Sequence, residues 1–154
     1  MSGFIANASP TNAATIANAL FWPEVDLDTV RKRMRLDGSV TDDRLREATV
    51  AAMWYVNDAL ATWRAGQQAA GYDSLDEVPG QIIGGVPRGV ALYMRAVCCA
   101  VGAELAERYR SFDATDSANQ RADDLTPSIT ELRRDLAWAL SDLQGRPRTT
   151  VELI

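Results

Sequence analysis

Glu104-x-x-Glu107 and Glu131-x-x-x-Asp135 are the carboxylates whose spacing could build a reaction centre. On a helix, side chains three or four positions apart share a face. Two such acidic pairs on facing helices could hold magnesium, a hard cation that takes oxygen ligands, and so hydrolyse nucleotides. The pattern is incomplete. The second pair has i, i+4 rather than i, i+3 spacing, and no basic residue is clearly placed to hold a phosphate. Arg108 and Arg134 could equally pair with these carboxylates at the surface. Asp123 and Asp124 are adjacent and face two directions, and Gly84-Gly85 lacks the strand-to-helix setting of a phosphate loop. The chain has no histidine, which removes Ser-His-Asp and Cys-His catalysis and the common zinc sets. Cys98 and Cys99 are adjacent in a helical stretch, where a disulfide between them would be strained, so they read as reduced core thiols. No metal and no cofactor is expected.

These groups must be positioned by helices. The stretch 91–110 carries only one charge, Arg95, in its first thirteen residues. A surface helix has one apolar stripe and one polar face; this one is apolar all round and predicts a buried central helix. Met94, Cys98, Val101, Leu105 and Tyr109 form one stripe, while Ala96, Cys99, Ala100 and Ala103 form a small-residue side that admits close neighbours. A membrane span needs roughly 20 uncharged residues, and the charges at Arg95, Glu104, Glu107, Arg108 and Arg110 argue against one. The prediction is an all-α fold, a small bundle around this helix. It has a flexible arm at 1–20, one helical domain at 21–145, a Gly-rich loop at 72–89 and an extended tail at 146–154.

At 154 residues the chain suits a single domain. Its 47% hydrophobic and 24% charged residues are those of an ordinary globular protein. A net charge of −5 disfavours a freestanding DNA binder. The N-terminus shows no basic n-region and no apolar segment of useful length, which points to a cytoplasm or to something assembled there. Phe21-Trp22-Pro23 is an extended aromatic anchor, serving either a partner or the near end of the core. Asp26 or Asp28 caps a helix reaching about Leu36, with Leu27, Val30 and Met34 inward. Arg31, Lys32, Arg33 and Arg35 make a basic patch, and residues 31–46 hold six basic and three acidic side chains. This patch could face DNA, as in a small DNA-binding regulator, or be neutralised by nearby carboxylates.

Thr41 caps the next helix, with Val40 and Leu45 at the positions of a hydrophobic staple. Its stripe runs Leu45, Ala48, Ala52, Val56, Ala59, Leu60 and Trp63, and it ends before Gly71. Trp54 points away from that stripe. Loop residues 72–89 include one turn near 74–78 and leave Ile82, Ile83 and Val86 uncovered. A linker at 111–118 and a short polar helix to about Leu125 precede the last helix, capped by Thr126 with Pro127 at N1. Ile129, Leu132, Leu136, Ala139, Leu140 and Leu143 face inward there, and Trp138 lies opposite. Tryptophan is enriched at interface hot spots, so Trp54 and Trp138 predict a self- or partner-interface. The tail RTTVELI, with Val151, Leu153 and Ile154, could add a strand to a neighbour's sheet or lie in a neighbour's groove.

The run from Phe21-Trp22-Pro23 through Val30-Arg31-Lys32-Arg33-Met34-Arg35-Leu36, with Arg44-Leu45-Arg46-Glu47-Ala48, resembles the head completion proteins of P2-like tailed bacteriophages, the gpL family. Arg95-Ala96-Val97-Cys98-Cys99-Ala100, Glu107-Arg108-Tyr109-Arg110 and Gly145-Arg146-Pro147-Arg148 carry the resemblance on. It implies a non-enzymatic structural virion protein. Such a protein docks on the portal after DNA packaging, forms a ring expected to be dodecameric, and extends the DNA channel. It also offers a platform to the next neck or tail protein. The expected partners are the portal, neighbouring copies, that downstream protein, and packaged DNA passing without sequence-specific contact; no membrane is involved. The expected location is the virion neck, after assembly in the host cytoplasm.

Overall fold

The computed structural model describes residues 14–110 and 128–148. Two short strands, β1 (Thr15–Ile16) and β2 (Val25–Asp26), pair antiparallel with Ile16 opposite Val25. Helices α1 (Leu27–Arg33), α2 (Asp42–Ala59) and α3 (Ala61–Ala69) follow. A 3-10 turn at Leu75–Glu77 leads to a hairpin of β3 (Ile82–Ile83) and β4 (Val86–Pro87). Helix α4 (Arg88–Arg110) and helix α5 (Ile129–Leu143) complete the described chain. The expected helical bundle is present in outline, with two small sheets added to it.

α4 is the centre of the core, as its composition predicts. Tyr93, Ala96, Val97 and Val101 have no exposed surface, and Cys98, Cys99, Ala103 and Leu105 are buried beside them. α5 lies along one side and α2 along another. Gly102 marks the tightest approach: a Cβ there would sit 2.7 Å from the Met34 sulfur and 3.3 Å from Leu132 Cδ1. By length and composition residues 88–108 could cross a membrane, but half of that stretch is buried inside the protein. Its apolar surface is satisfied by α2 and α5 packing on it.

Where this core closes, the Tyr93 hydroxyl is fully paired, while the neighbouring Trp22 indole N–H is buried without a partner. Burial pushes the Tyr93 hydroxyl up to about 12. It donates to Asn57 Oδ1 at 2.8 Å, Asn57 Nδ2 donates to Asn18 Oδ1 at 3.0 Å, and Asn18 Nδ2 donates back to the Tyr93 oxygen at 2.8 Å. This closed triangle ties β1's flank to α2 and α4. Trp22 stacks on the Tyr93 ring at 4.9 Å and on Trp63 at 6.4 Å, with Phe21 edge-on to Trp22. Phe21 adopts φ 94°, which is strained for a residue with a side chain. Two buried rings and the Leu75 N–H donating to its carbonyl at 2.8 Å hold it there.

Several boundaries move from their expected places. Residues 14–20 are not part of a flexible arm, because Ile16 is buried in the β1–β2 pair and Asn18 is locked into the triangle; residues 1–13 lie outside the described residues. Asp26 caps α1 by accepting from Thr29 N–H at 2.9 Å, and α1 stops at Arg33, short of Leu36. Thr41 caps α2, and Val40 and Leu45 are both buried, as expected. The single long helix beyond it bends at Leu60, fully buried at φ −102°, ψ 4°, although the Leu60 N–H still donates to Val56 O at 3.1 Å and its carbonyl accepts from the Arg64 N–H at 2.8 Å. Ser128, not Thr126, caps α5, in a capping box with Glu131. The linker at 111–118, the short polar helix and Pro127 lie outside the described residues. The stretch expected as a loop at 72–89 holds the predicted turn, but also a hairpin and the first residues of α4.

Replacing Tyr93 with Phe removes the donor to Asn57 while keeping the ring stacked on Trp22. We expect a loss of about 1–3 kcal/mol, the cost of leaving a buried acceptor unpaired. Urea unfolding reads it as a lower midpoint at an unchanged slope; an unchanged midpoint contradicts the triangle's role.

Candidate functional site

The four candidate carboxylates do not converge. Glu104 accepts from Arg108, one turn on, at 2.8 Å. Glu107 pairs across helices with Arg133. Glu131 is committed to its own helix end: its Oε2 accepts from the Ser128 N–H at 2.8 Å. That bond, with the Ser128 hydroxyl, holds its carboxyl below the usual range. Asp135 lies 3.3 Å from an Arg95 guanidinium nitrogen and 3.1 Å from one of Arg134. Among the described residues, no group of three or more His, Cys, Asp and Glu side chains is placed to hold a metal ion. Cys98 and Cys99 are free and buried, and desolvation pushes both thiols up. That is the setting of inert core cysteines.

Glu104, Glu107 and Arg133 instead rim an open trough of about 540 Å³ between α2, α4 and α5. Its floor is alanine: Ala51, Ala52, Ala100 and Ala103. Tyr55 stands at its edge, 57% exposed, and the preceding Trp54 is 69% exposed. Trp54 therefore projects from the fold as expected. Tyr55 was legible too: adjacent residues on a helix point about 100° apart, so a Trp-Tyr pair cannot join one inner stripe.

The other expected contact residues fare differently. Phe21 and Trp22 are each 5% exposed, and both indole and phenyl plug the core against Trp63 and Tyr93. Their aromatic surface is used internally, which corrects the expectation of a partner anchor. Trp138 is not left open to solvent either. It is half-buried, with the Arg134 guanidinium 4.6 Å from its ring centroid and that of Arg148 at 5.0 Å. Such cation–π contacts cover an indole without placing it in the core. Val151, Leu153 and Ile154 lie outside the described residues. In the basic patch, Arg31 bonds Asp42 at 2.8 Å and the Asp37 carbonyl at 3.0 Å, so its charge is compensated. The charge of Arg33 acts on the Cys98 thiol, opposing the rise that burial imposes. Lys32 and Arg35 are exposed, Arg35 at φ 52° where α1 ends.

The exit of the chain from α5 is well defined. Gly145, at φ 67°, closes the helix: its N–H donates to Asp142 O and the Arg146 N–H to Ser141 O at 2.8 Å. Arg148 then folds back and grips Asp142 with two nitrogens, one at 3.0 Å and one at 2.5 Å. The grip holds the Asp142 carboxyl below its ordinary value.

The helices spend these carboxylates on ion pairs and a helix cap and turn Trp54 and Tyr55 outward, an arrangement in keeping with a structural protein. The comparisons give the family. The sequence profile of the phage head completion proteins (GPL) matches residues 16–154, and the chain belongs to that family. It is similar to the head completion/stabilization protein of Escherichia phage P2, at 42% identity over 139 residues, 90% of this chain and 82% of that protein. No solved structure matches it. Head completion is therefore its role, and the virion its place.

The Asp142–Arg148 grip gives a pH test. Because the folded carboxyl titrates below 3.8, the grip stabilises the fold above that pH and is lost as pH falls through the lower folded value. The wild-type chain is expected to exceed Asp142→Asn in stability at neutral pH, modestly, since Arg148 is half-exposed. The two should converge in acid. Unfolding by urea across a pH series reads this; a gap that persists in acid contradicts it.

Proposed function

We propose that this chain completes the head as a non-catalytic adaptor. It docks on the portal after DNA packaging and sits in a ring of neighbouring copies that extends the DNA channel. The ring follows the portal's symmetry, as a dodecamer, and presents a platform to the next neck or tail protein. Assembly occurs in the host cytoplasm. The observation that carries this reading is the open aromatic surface of Trp54 and Tyr55 on a chain that belongs to the head completion family over residues 16–154. An exposed indole, next in sequence to the tyrosine that edges the trough, suits packing against a sister subunit or the portal. Trp138, clamped by two arginines on another face of α5, offers a second aromatic contact. A net charge of −5 also suits a channel element, because an acidic lining repels the phosphate backbone and lets DNA slide.

The test uses DNA-filled, portal-bearing heads that lack this chain. Added wild-type chain is expected to cosediment with them and to protect their DNA from nuclease. Trp54→Ala should keep its helical circular dichroism and bind about tenfold more weakly or worse, the effect of losing a hot-spot aromatic. Unaltered binding removes Trp54 from the interface, and no binding by the wild-type chain overturns the reading.

A further inference from the structure

The hairpin of β3 and β4 is the most exposed apolar element among the described residues. Ile82 is 68%, Ile83 76% and Val86 44% exposed. Adjacent strand residues point to opposite faces, so Ile82 and Ile83 leave both faces of the hairpin uncovered. An isolated two-stranded hairpin is marginal in water, and a third strand with an apolar cover is what stabilises one. This hairpin is nevertheless well specified. Gly84 and Gly85 take φ 60° and 78°, the positive pair that a tight two-residue turn needs.

Its two edges are unequal. The Arg88 N–H donates to the Gln81 carbonyl at 2.9 Å, so residues 81 and 88 form a bonded pair. In an antiparallel ladder bonded and non-bonded pairs alternate. Ile82 and Pro87 are opposite each other and are therefore the non-bonded pair, with backbone groups directed outward. On the β4 edge the outward residue is Pro87, which has no N–H, and proline there blunts an edge against pairing. On the β3 edge Ile82 directs both an N–H and a carbonyl outward, flanked by Gly80 and Gly84, which present no side chain. The hairpin is thus closed on one edge and open on the other.

The residues beyond Arg148 fit that open edge. Thr149, Thr150, Val151 and Ile154 are β-branched, and in an extended strand positions 151 and 153 would share one face. The chain leaves the fold at the hairpin's end of the molecule: Leu143 lines a small cavity with Gly80, Arg88 and Leu92, and Asp142, which grips Arg148, feels the charge of Arg88. Six residues of strand reach about 20 Å, enough to cross to an adjoining subunit. A lone strand from the same chain would cover one edge and neither face, whereas a sister subunit brings a strand together with a surface.

We infer that residues 149–154 of one copy add as a third strand to the Ile82 edge of the β3–β4 hairpin in the next copy. This rests on the ring reading above and supplies it with a directional, head-to-tail contact. Such a contact closes into a ring when its rotation permits. Main-chain bonds at Ile82 supply the pairing, and Val151 and Leu153 extend one apolar face of the hairpin, which the sister subunit's surface covers.

The test mixes two variants, Ile83→Cys and Leu153→Cys, on the DNA-filled heads and adds a short bifunctional maleimide. Cys98 and Cys99 are buried and remain silent. The expected product is a covalent dimer containing one chain of each kind. Adding Ile82→Pro to the Ile83→Cys chain removes the outward N–H but spares the hairpin's own bonds, and the dimer should be lost. Three results overturn the inference while leaving the ring reading intact: cosedimentation without the dimer, a dimer indifferent to Ile82→Pro, or linkage only within a single chain carrying both cysteines. Failure of the chain to cosediment overturns both.

Discussion

A helix without a polar face has to be enclosed, and the rest of the fold follows from enclosing α4. α5 covers the side where Gly102 admits Leu132, and the end of α1 reaches the same glycine through Met34. α2 covers a further side with Leu45, Ala48, Ala52 and Val56. One polar liability of this arrangement is the Tyr93 hydroxyl, and two asparagines close a hydrogen-bonded triangle on it. Buried polar groups of this kind are costly when half-satisfied and specifying when complete. Here the triangle sets where residues 14–26 lie, and with them Trp22 on the Tyr93 ring.

Much of this was legible because it depends on periodicity and caps. The apolar run at 91–110, Thr41 with Val40 and Leu45, and the inward stripe of α5 are local signals, and each reappears in the structure. What escaped is tertiary. Leu60 bends the helix without a glycine or proline, at a fully buried position where the i→i−4 bonds to Val56 and from Arg64 are kept. Asn18 looks like part of a small polar arm until Tyr93 is beside it. The hairpin had a local signal, Ile-Ile-Gly-Gly-Val, but two-residue strands are too short for an alternating pattern to show. At the candidate site, the outward direction of Trp54 followed from helix phase alone. The arginine clamp on Trp138 did not, since it needs the chain to turn at Gly145 and return Arg148 to Asp142.

The same accounting explains why the surface suits assembly. Carboxylates that could have gathered around a cation are dispersed among Arg108, Arg133, Arg95 and Arg134, or tied to a helix end. They solubilise and pin the helices. Apart from Leu20, the large apolar side chains left exposed among the described residues fall in two places, the Trp54–Tyr55 pair on α2 and the β3–β4 hairpin. On the reading proposed above, two separate apolar sites would let each copy meet two different neighbours. That is the minimum a head completion protein needs if it is to bind its own kind and the head at once.

Electron microscopy of DNA-filled heads, with and without the added chain, addresses this most directly. An assembly role requires a closed ring of density at the portal vertex, with Trp54 and the hairpin each packed against neighbouring protein. A vertex unchanged by the added chain, or a ring in which both sites face solvent, would contradict it.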